Sequence, residues 1–320
     1  MKEKHKIHKF KSIEICAGAG GQAIGLEKAG FDHLALVEIE PLACLTLRTN
    51  RPKWNVIQDD LRRFDAKIYN GKVDLLAGGV PCPPFSIAGK KLGHLDDRDL
   101  FPEALRITRE CNPKAVLLEN VRGLLDPKFE SYRQKIILEL EELGYKTDWQ
   151  LLNSSDYGVS QLRPRAILVA LKNEYYDFFK WPEKSKTKPK SIGDLLYEEM
   201  AQLGWERVDE WKELANRIAP TLVGGSKKHG GADLGPTRAK KAWAELGVDG
   251  HGLANQPPIN GFRGNPRLTL QMTALVQGFP KEWKFAGKKT PAYRQVGNAF
   301  PAPVAKAVGK SIIKALKYGE

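Results

Sequence analysis

Short apolar runs alternate with amphipathic segments over the first ~170 residues, and this alternation limits the fold more than any other feature of the chain. The runs that read as strands are Ser12–Cys16, Leu34–Val37, Trp54–Ile57, Val73–Ala77, Ala115–Leu118, Asp148–Leu152 and Ala166–Leu171. The segments that read as helices are Gln22–Ala29, Leu42–Asn50, Asp99–Cys111 and Phe129–Leu143. The alternation predicts an α/β fold, with a doubly wound, mostly parallel sheet that carries helices on both faces.

Chemically special residues lie at or just past the ends of five predicted strands: Gly18, Glu38, Asp60, Cys82 and Glu119. In open parallel sheets, ligands bind at the carboxyl ends of the strands. We therefore expect these residues to share one site at one edge of the sheet.

The stretch GGVPCPPFSIAG, residues 78–89, places Cys82 between two prolines at the end of a strand. A thiolate is a strong nucleophile, and rigid neighbours fix its direction of attack. A single buried cysteine that only packs is the ordinary alternative. The rest of the chain must distinguish a nucleophilic cysteine from one that only packs.

The glycine-rich turn AGAGG, residues 17–21, follows the first strand. It lacks the G-x-G-x-x-G spacing of dinucleotide-binding folds, although a nicotinamide cofactor stays possible. Glu38 is placed to bind a ribose diol and Asp60 an adenine amino group. Glu38 alone could equally be a solvated surface residue. An adenosyl cofactor without a pyrophosphate would need no phosphate fingerprint.

The net charge of +13 suggests a polyanionic partner, most simply nucleic acid, although a merely soluble basic protein is the alternative. The range 217–241 holds six Lys or Arg, one acid and five glycines, which suits phosphate contact. The four cysteines are far apart, so we expect neither a metal site nor disulfides. We expect no membrane span and no secretory signal, and a cytoplasmic location.

A charged, proline-bounded linker at 183–190 separates the α/β pattern from a less regular region that contains one predicted helix near Asp209–Ile218. The last predicted helix, Pro303–Leu316, should pack back on the first domain. We therefore expect one domain of residues 1–185 plus 293–320 and a smaller, irregular one of residues 186–292.

Taken together and in order, the motifs resemble the DNA (cytosine-5) methyltransferase family of the prokaryotic restriction-modification type. The matching stretches are ICAGAGG from Ile15, VEIEP around Glu38, DDL at Asp60, GGVPCPPFSIAG, DRDLF at Leu100, ENV from Glu119, QLRPR from Gln161, RLTLQMTALVQGFP from Arg267 and QVGNAFP from Gln295. The resemblance implies a Rossmann-like domain that binds S-adenosyl-L-methionine, and a target-recognition domain seated by the Arg267 motif.

The resemblance also implies residue roles. Catalysis would fall to Cys82 as nucleophile, Glu119 near cytosine N3, Arg165 at O2, and Arg163, which orients a loop or a phosphate. The cofactor would contact Cys16, Ala17, Gly18, Gly20, Gly21, Glu38, Ile39, Asp60, Leu61, Gly79, Pro81, Leu100, Asn298 and Ala299. Candidates for DNA contact are Ser86, Lys90, Lys91, Lys227, Lys228, Arg238, Lys240 and Lys241.

Some residues depart from the family pattern. Cys16 stands where an aromatic residue is usual, which affects adenine stacking, and Val80, Pro83 and Ser160 are also unusual. Gln271 and Met272 replace an Arg and a Glu, which leaves the seating of the small domain open.

The expected partners are double-stranded DNA, bound by a monomer, and a restriction endonuclease for the same site. The alternatives are an RNA cytosine methyltransferase, a non-catalytic DNA-binding regulator on the same fold, and a nicotinamide oxidoreductase. Intact Cys82, Glu119 and Arg165 argue against the regulator, and the missing phosphate fingerprint argues against the oxidoreductase.

Overall fold

The computed structural model describes residues 10–81, 99–225 and 231–318. One seven-stranded sheet forms its centre, with strand order β3-β2-β1-β4-β5-β7-β6. The strands are β1 Phe10–Ile15, β2 Phe31–Glu38, β3 Val56–Gln58, β4 Leu75–Gly79, β5 Ala115–Val121, β6 Tyr145–Asn153 and β7 Pro164–Lys172. All seven predicted strands are present, with ends shifted by a few residues.

The strands β1 to β5 pair in parallel, whereas β7 runs antiparallel to both β5 and β6. A parallel connection needs a crossover of a dozen or more residues, usually a helix. The segment between Asn153 and Pro164 is too short for one, so the chain turns back and β7 inserts between β5 and β6. The sheet is therefore mixed but mostly parallel, as expected.

Helices cover both faces of this sheet. The larger ones are α1 Gly21–Ala29, α2 Pro41–Asn50, α3 Phe101–Cys111, α4 Glu130–Glu142 and α11 Ala302–Tyr318, and a single turn, α5 Asn173–Tyr176, follows β7. Side chains of α3 and α4, among them Ile107 and Ile136, pack on one face. Leu26 of α1 and Val308 of α11 pack on the other.

The last helix returns to the sheet, which confirms that prediction. It lies so close to α1 that a Cβ on Gly25 would stand 2.4 Å from the carbonyl oxygen of Ala302. A side chain at position 25 would therefore force the two helices apart.

A separate cluster of buried residues runs from Ile192 to Tyr293. It contains α6 Ile192–Ala201, α7 Val208–Leu214 and α8 Thr237–Ala244, and it continues into α9 Leu270–Gln277 and α10 Lys289–Asn298. The sequence predicted only α7. The signal for α6 was present, because Ser191 accepts a hydrogen bond from the Asp194 N–H as an N-cap.

The helix α9 joins the two parts of the molecule, because Met272 packs in the small cluster while Ala274 packs beside α1 and α2. Met272 stands where the family pattern has Glu, yet its sulfur lies 3.4 Å from the Thr269 N–H and completes the cap of α9. Thioether sulfur is a weak acceptor that also tolerates burial. The substitution therefore keeps the helix start while it adds apolar contact to the small cluster.

Candidate active site

A cavity of about 1050 Å³ opens at the carboxyl ends of β1, β2, β4 and β5. Gly18, Glu38, Asp60 and Glu119 all line it. Four of the five residues predicted to share one edge of the sheet are thus brought together, and the fifth, Cys82, lies outside the described residues.

Nearly all of the predicted cofactor contacts line this cavity. They are Cys16, Ala17, Gly18, Gly21, Glu38, Ile39, Asp60, Leu61, Gly79, Pro81, Leu100, Asn298 and Ala299. Gly20 is the exception, because a Cβ there would point at Leu47, at 2.7 Å, and at Trp283. Gly20 has a φ of 88° and precedes α1, so its role is to turn the chain and to let the helix pack.

The backbone holds Glu38 in place at the end of β2. One carboxylate oxygen accepts the Gly18 N–H at 2.7 Å and the other accepts the Glu40 N–H at 2.8 Å. Each oxygen keeps a second lone pair for a ligand hydroxyl. Burial raises the pKa of Glu38, and the backbone N–H groups oppose that shift. At Gly18, with φ 54°, a Cβ would meet nothing within 4 Å, so a ligand can approach the backbone.

Glu14 is a site residue that the sequence analysis missed. It lies in the middle of the sheet, 1% exposed, and lines the cavity, and its carboxylate lies near the Ala23 N–H but makes no well-formed hydrogen bond. The amide nitrogen of neighbouring Gln22 is also buried without a partner and lines the same cavity. Burial raises the pKa of Glu14 well above its usual range. Buried polar groups without well-formed hydrogen bonds are rare, so the pair, one acceptor and one donor, indicates a place for a polar ligand.

Two other predicted cofactor contacts, Cys16 and Asp60, are constrained by their surroundings. Cys16 is partly exposed with φ 51°, and burial, followed by the charge of Glu38, raises the pKa of its thiol. A thiol with a raised pKa stays protonated and acts as a small apolar wall. Asp60 caps a short turn through the Arg62 N–H and forms an ion pair with the Arg62 guanidinium at 3.1 Å.

At the other end of the cavity, the Nε of Arg165 donates to Glu119 at 2.7 Å, and both side chains are nearly buried. Burial raises the pKa of Glu119, and Arg165 and then Arg163 oppose the shift. The second oxygen of Glu119 lies beside Gly79, where a Cβ would come within 3.3 Å of it. The Glu119 carboxyl and the Arg165 guanidinium thus face the cavity together, close to Gly79 at the end of β4.

Arg163 occupies a different place from the one expected of a phosphate contact. It is 1% exposed and donates to the carbonyls of Leu222, at 2.8 Å, and Gly297, at 2.7 Å. Gln161, also fully buried, accepts the Leu222 N–H at 2.8 Å. Burial, with the charge of Arg165, lowers the pKa of Arg163. These hydrogen bonds join the small cluster to α10, and the predicted role of Arg163 in orienting a loop or a phosphate stays a prediction.

Two hydrogen bonds hold the chain on either side of residues 82–98. The Asn120 amide donates to the Val80 carbonyl at 2.7 Å, and the Leu100 N–H donates to the Pro81 carbonyl at 3.2 Å. The side-chain oxygen of Asn120 accepts the Val121 N–H, which fixes the amide. The ENV motif therefore supplies both an acid for the cavity and a support for the strand end that precedes Cys82.

Comparison with known proteins agrees with this geometry. A family model described as C-5 cytosine-specific DNA methylase matches residues 10–314. This chain belongs to the C-5 cytosine-specific DNA methylase family.

The methylase is also similar to curated relatives. It is 58% identical over 311 residues to Type II methyltransferase M.NgoMIV of Neisseria gonorrhoeae, covering 96% of this chain and 98% of the relative. It is 55% identical over 317 residues to Type II methyltransferase M.NaeI of Lentzea aerocolonigenes, covering 97% of this chain and 76% of the relative.

Solved structures share the fold of the methylase. A protein described as a DNA modification methyltransferase encoded within an E. coli prophage superimposes with a TM-score of 0.67 at 22% identity, over 97% of this chain and 100% of that one. A Spodoptera frugiperda DNMT2 variant also gives 0.67, at 19% identity, over 95% and 100%.

Of the predicted DNA contacts in the methylase, Ser86, Lys90, Lys91, Lys227 and Lys228 lie outside the described residues. Arg238 and Lys241 are exposed on α8. Lys240 differs, because its ammonium pairs with Asp233 at 3.1 Å and its stem covers Gly250. Lys240 therefore stabilises the small cluster and is a weaker candidate for DNA contact.

Within residues 10–81, 99–225 and 231–318, no group of three or more His, Cys, Asp or Glu is arranged to hold a metal ion. Over the same ranges, the methylase has no helix that is both long and apolar enough to cross a membrane.

Proposed function

We propose that this methylase transfers a methyl group from S-adenosyl-L-methionine to C5 of a cytosine rotated out of duplex DNA, and that Cys82 forms a transient bond to C6. The observation that carries the proposal is the shared cavity, in which the Glu119–Arg165 pair and the Glu38–Gly18 contact face the same space. We further propose that it is the modification enzyme of a restriction-modification system, as the names of its Type II relatives suggest.

The residues that line the cavity fit this cofactor, which supplies a methyl group activated by a sulfonium. Glu38 would hold the ribose diol and Asp60 the adenine amino group. Glu14 would hold the ammonium of the amino-acid tail, and the unpartnered amide nitrogen of Gln22 would donate to an acceptor of the ligand.

The catalytic end would make the ring electrophilic before the methyl transfer. Glu119, protonated because of burial, would donate to N3 while Arg165 donates to O2. The Cys82 thiolate would then add to C6, and the electron pair displaced toward C5 would attack the methyl group. Loss of the C5 proton and departure of the Cys82 sulfur restore the aromatic ring. Asn120 would keep the strand end before Cys82 at a fixed distance from Glu119.

The substrate carbon is stacked inside a duplex, so the base must leave the helix at a cost of a few kcal/mol. We propose that residues 186–292 form the target-recognition domain that repays this cost, and that residues 1–185 plus 293–320 form the catalytic domain. The buried cluster from Ile192 to Tyr293 and the exposed Arg238 and Lys241 support this division. We propose that the enzyme acts on DNA as a monomer.

The direct test uses purified protein with methyl-labelled S-adenosylmethionine and either duplex DNA or tRNA. We expect label in duplex DNA only, and none with Cys82→Ala, which should still bind the cofactor. Bisulfite sequencing of DNA from a host free of cytosine methylation would then show one modified cytosine in a fixed sequence. Label in tRNA alone, or transfer by Cys82→Ala near the wild-type rate, would contradict the proposal.

A further inference from the structure

One stripe of α10 faces the cavity. Pro291, Arg294, Gln295 and Asn298 all line it, and their spacing of three, four and seven residues places them on one side of the helix. Gln295 is engaged, since it accepts the Thr46 hydroxyl at 2.6 Å and donates to the Ala286 carbonyl at 2.9 Å. Asn298 donates to the Gly225 carbonyl at 3.3 Å. Of the three polar side chains on this stripe, Arg294 alone makes no such contact within the described residues.

Five cationic side chains of the described chain line the cavity, and four of them are engaged. Arg62 pairs with Asp60, Lys128 lies 4.8 Å from the centre of the Phe129 ring, Arg163 donates to two carbonyls, and Arg165 pairs with Glu119. Within the described residues Arg294 has no ion pair or hydrogen bond, and its Nε is buried without a partner. A partly buried guanidinium without a partner is costly, so it indicates an anionic ligand.

The proposed cofactor carries one anionic group, the carboxylate of its amino-acid tail. Glu38, Asp60 and Glu14 are acids that suit its ribose, adenine and ammonium, and Gln22 offers only a neutral amide donor. A guanidinium can donate two parallel hydrogen bonds to a carboxylate. Its buried Nε also sets Arg294 apart from Arg238 and Lys241, which are exposed as phosphate contacts usually are.

We infer that Arg294 binds the carboxylate of the S-adenosylmethionine tail, whose ammonium is assigned to Glu14. This inference rests on the proposed function, since it assigns one more contact to the same cofactor. It adds a charged side chain of α10 to the groups proposed to hold the cofactor.

The test compares binding of two ligands to the full-length protein without DNA. One is S-adenosylmethionine, and the other is its decarboxylated form, which keeps the sulfonium and the amine but lacks the carboxylate. We expect Arg294→Gln to weaken binding of S-adenosylmethionine by about 10- to 100-fold, as loss of a hydrogen bond between charged groups does. The same variant should bind the decarboxylated ligand within about threefold of wild type. Arg294→Lys should fall between the two.

Arg109→Gln is the matched control, because Arg109 is an exposed arginine on α3 that does not line the cavity. It should change neither affinity. Equal losses for both ligands with Arg294→Gln, or no loss for either, would overturn the inference. Unchanged cofactor binding with weaker, less salt-dependent binding of duplex DNA would reassign Arg294 to a phosphate. Failure of the proposed function would show separately, as wild-type protein that binds no S-adenosylmethionine or methylates no DNA.

Discussion

The sheet edge and the small cluster of residues 192–293 hold their polar groups in different ways. At the sheet edge, side chains are fixed by short contacts to the backbone, such as Glu38 with the Gly18 N–H and Asn120 with the Val80 carbonyl. In the small cluster, the apolar side of α8 is buried through Trp243, while Arg238 and Lys241 extend into solvent.

This difference follows from what each region must do. Making and breaking bonds requires reacting groups within a few tenths of an ångström of one position, so residue type and spacing are closely constrained. Contact with the DNA backbone requires positive charge on a surface. Many different spacings of Lys and Arg along the sequence can supply it. The four predictions that follow test whether substitutions at the sheet edge have larger effects than substitutions on the surface of α8.

The largest effect should come from Glu119→Gln, which keeps the shape but removes the acid. We expect kcat for methyl transfer to fall by roughly 10²–10⁴-fold, in the range typical of a lost general acid, with cofactor affinity unchanged. Because burial raises the pKa of Glu119, wild-type activity should decline as pH rises through that pKa. The rates of the variant should lack this decline, and a variant that keeps it would show that another group titrates.

Loss of loop support should have the next largest effect. Asn120→Ala removes the hydrogen bond to the Val80 carbonyl, and a misplacement of about 1 Å in the reacting loop can cost ~10²-fold in kcat. The exposed Asn216, which does not line the cavity, gives a control variant, Asn216→Ala, that should retain full rate. Single-turnover kinetics would measure both, and an Asn120→Ala enzyme with unchanged rate would remove its positioning role.

Glu14→Gln should show opposite effects on binding and stability. Since Glu14 is buried with a raised pKa, its contribution to stability is full below its unfolded pKa and is lost as pH rises through its folded pKa. The variant should therefore be more stable than wild type at pH 8, by ~1 kcal/mol or more. It should also bind S-adenosylmethionine about tenfold more weakly. Chemical denaturation and calorimetric titration measure the two, and unchanged affinity would contradict the ammonium site.

The smallest effects should separate two adjacent lysines of α8. Lys241→Gln should weaken DNA binding a few-fold and lower the salt slope by about one, as loss of one phosphate contact does. Lys240→Gln should leave the salt slope unchanged and cost under ~1 kcal/mol of stability through Asp233. Equal salt slopes for the two variants would show that α8 does not face DNA.

The sequence predicted the strands and the residues at their ends well, because apolar runs and special residue types are local signals. It did not predict the direction of β7, which depends on a connection too short for a helix. The predicted cofactor contact of Gly20 stays a prediction, since a glycine that turns the chain looks the same in sequence as one that admits a ligand. Glu14 was missed because a charged residue within a strand usually faces solvent. The hydrogen-bond partners of Arg163 come from distant segments of the chain, so no spacing in the sequence predicts them.

The central claim is that the sulfur of Cys82 bonds to a cytosine that has left its helix. It is tested most directly with duplex DNA that carries 5-fluorocytosine at the modified position, because fluorine cannot leave as a proton. With S-adenosylmethionine present, the wild-type enzyme should form a complex with this DNA that survives denaturing electrophoresis, and peptide mapping should place the link at Cys82. No such complex from an enzyme that methylates the matching unmodified DNA would contradict the account.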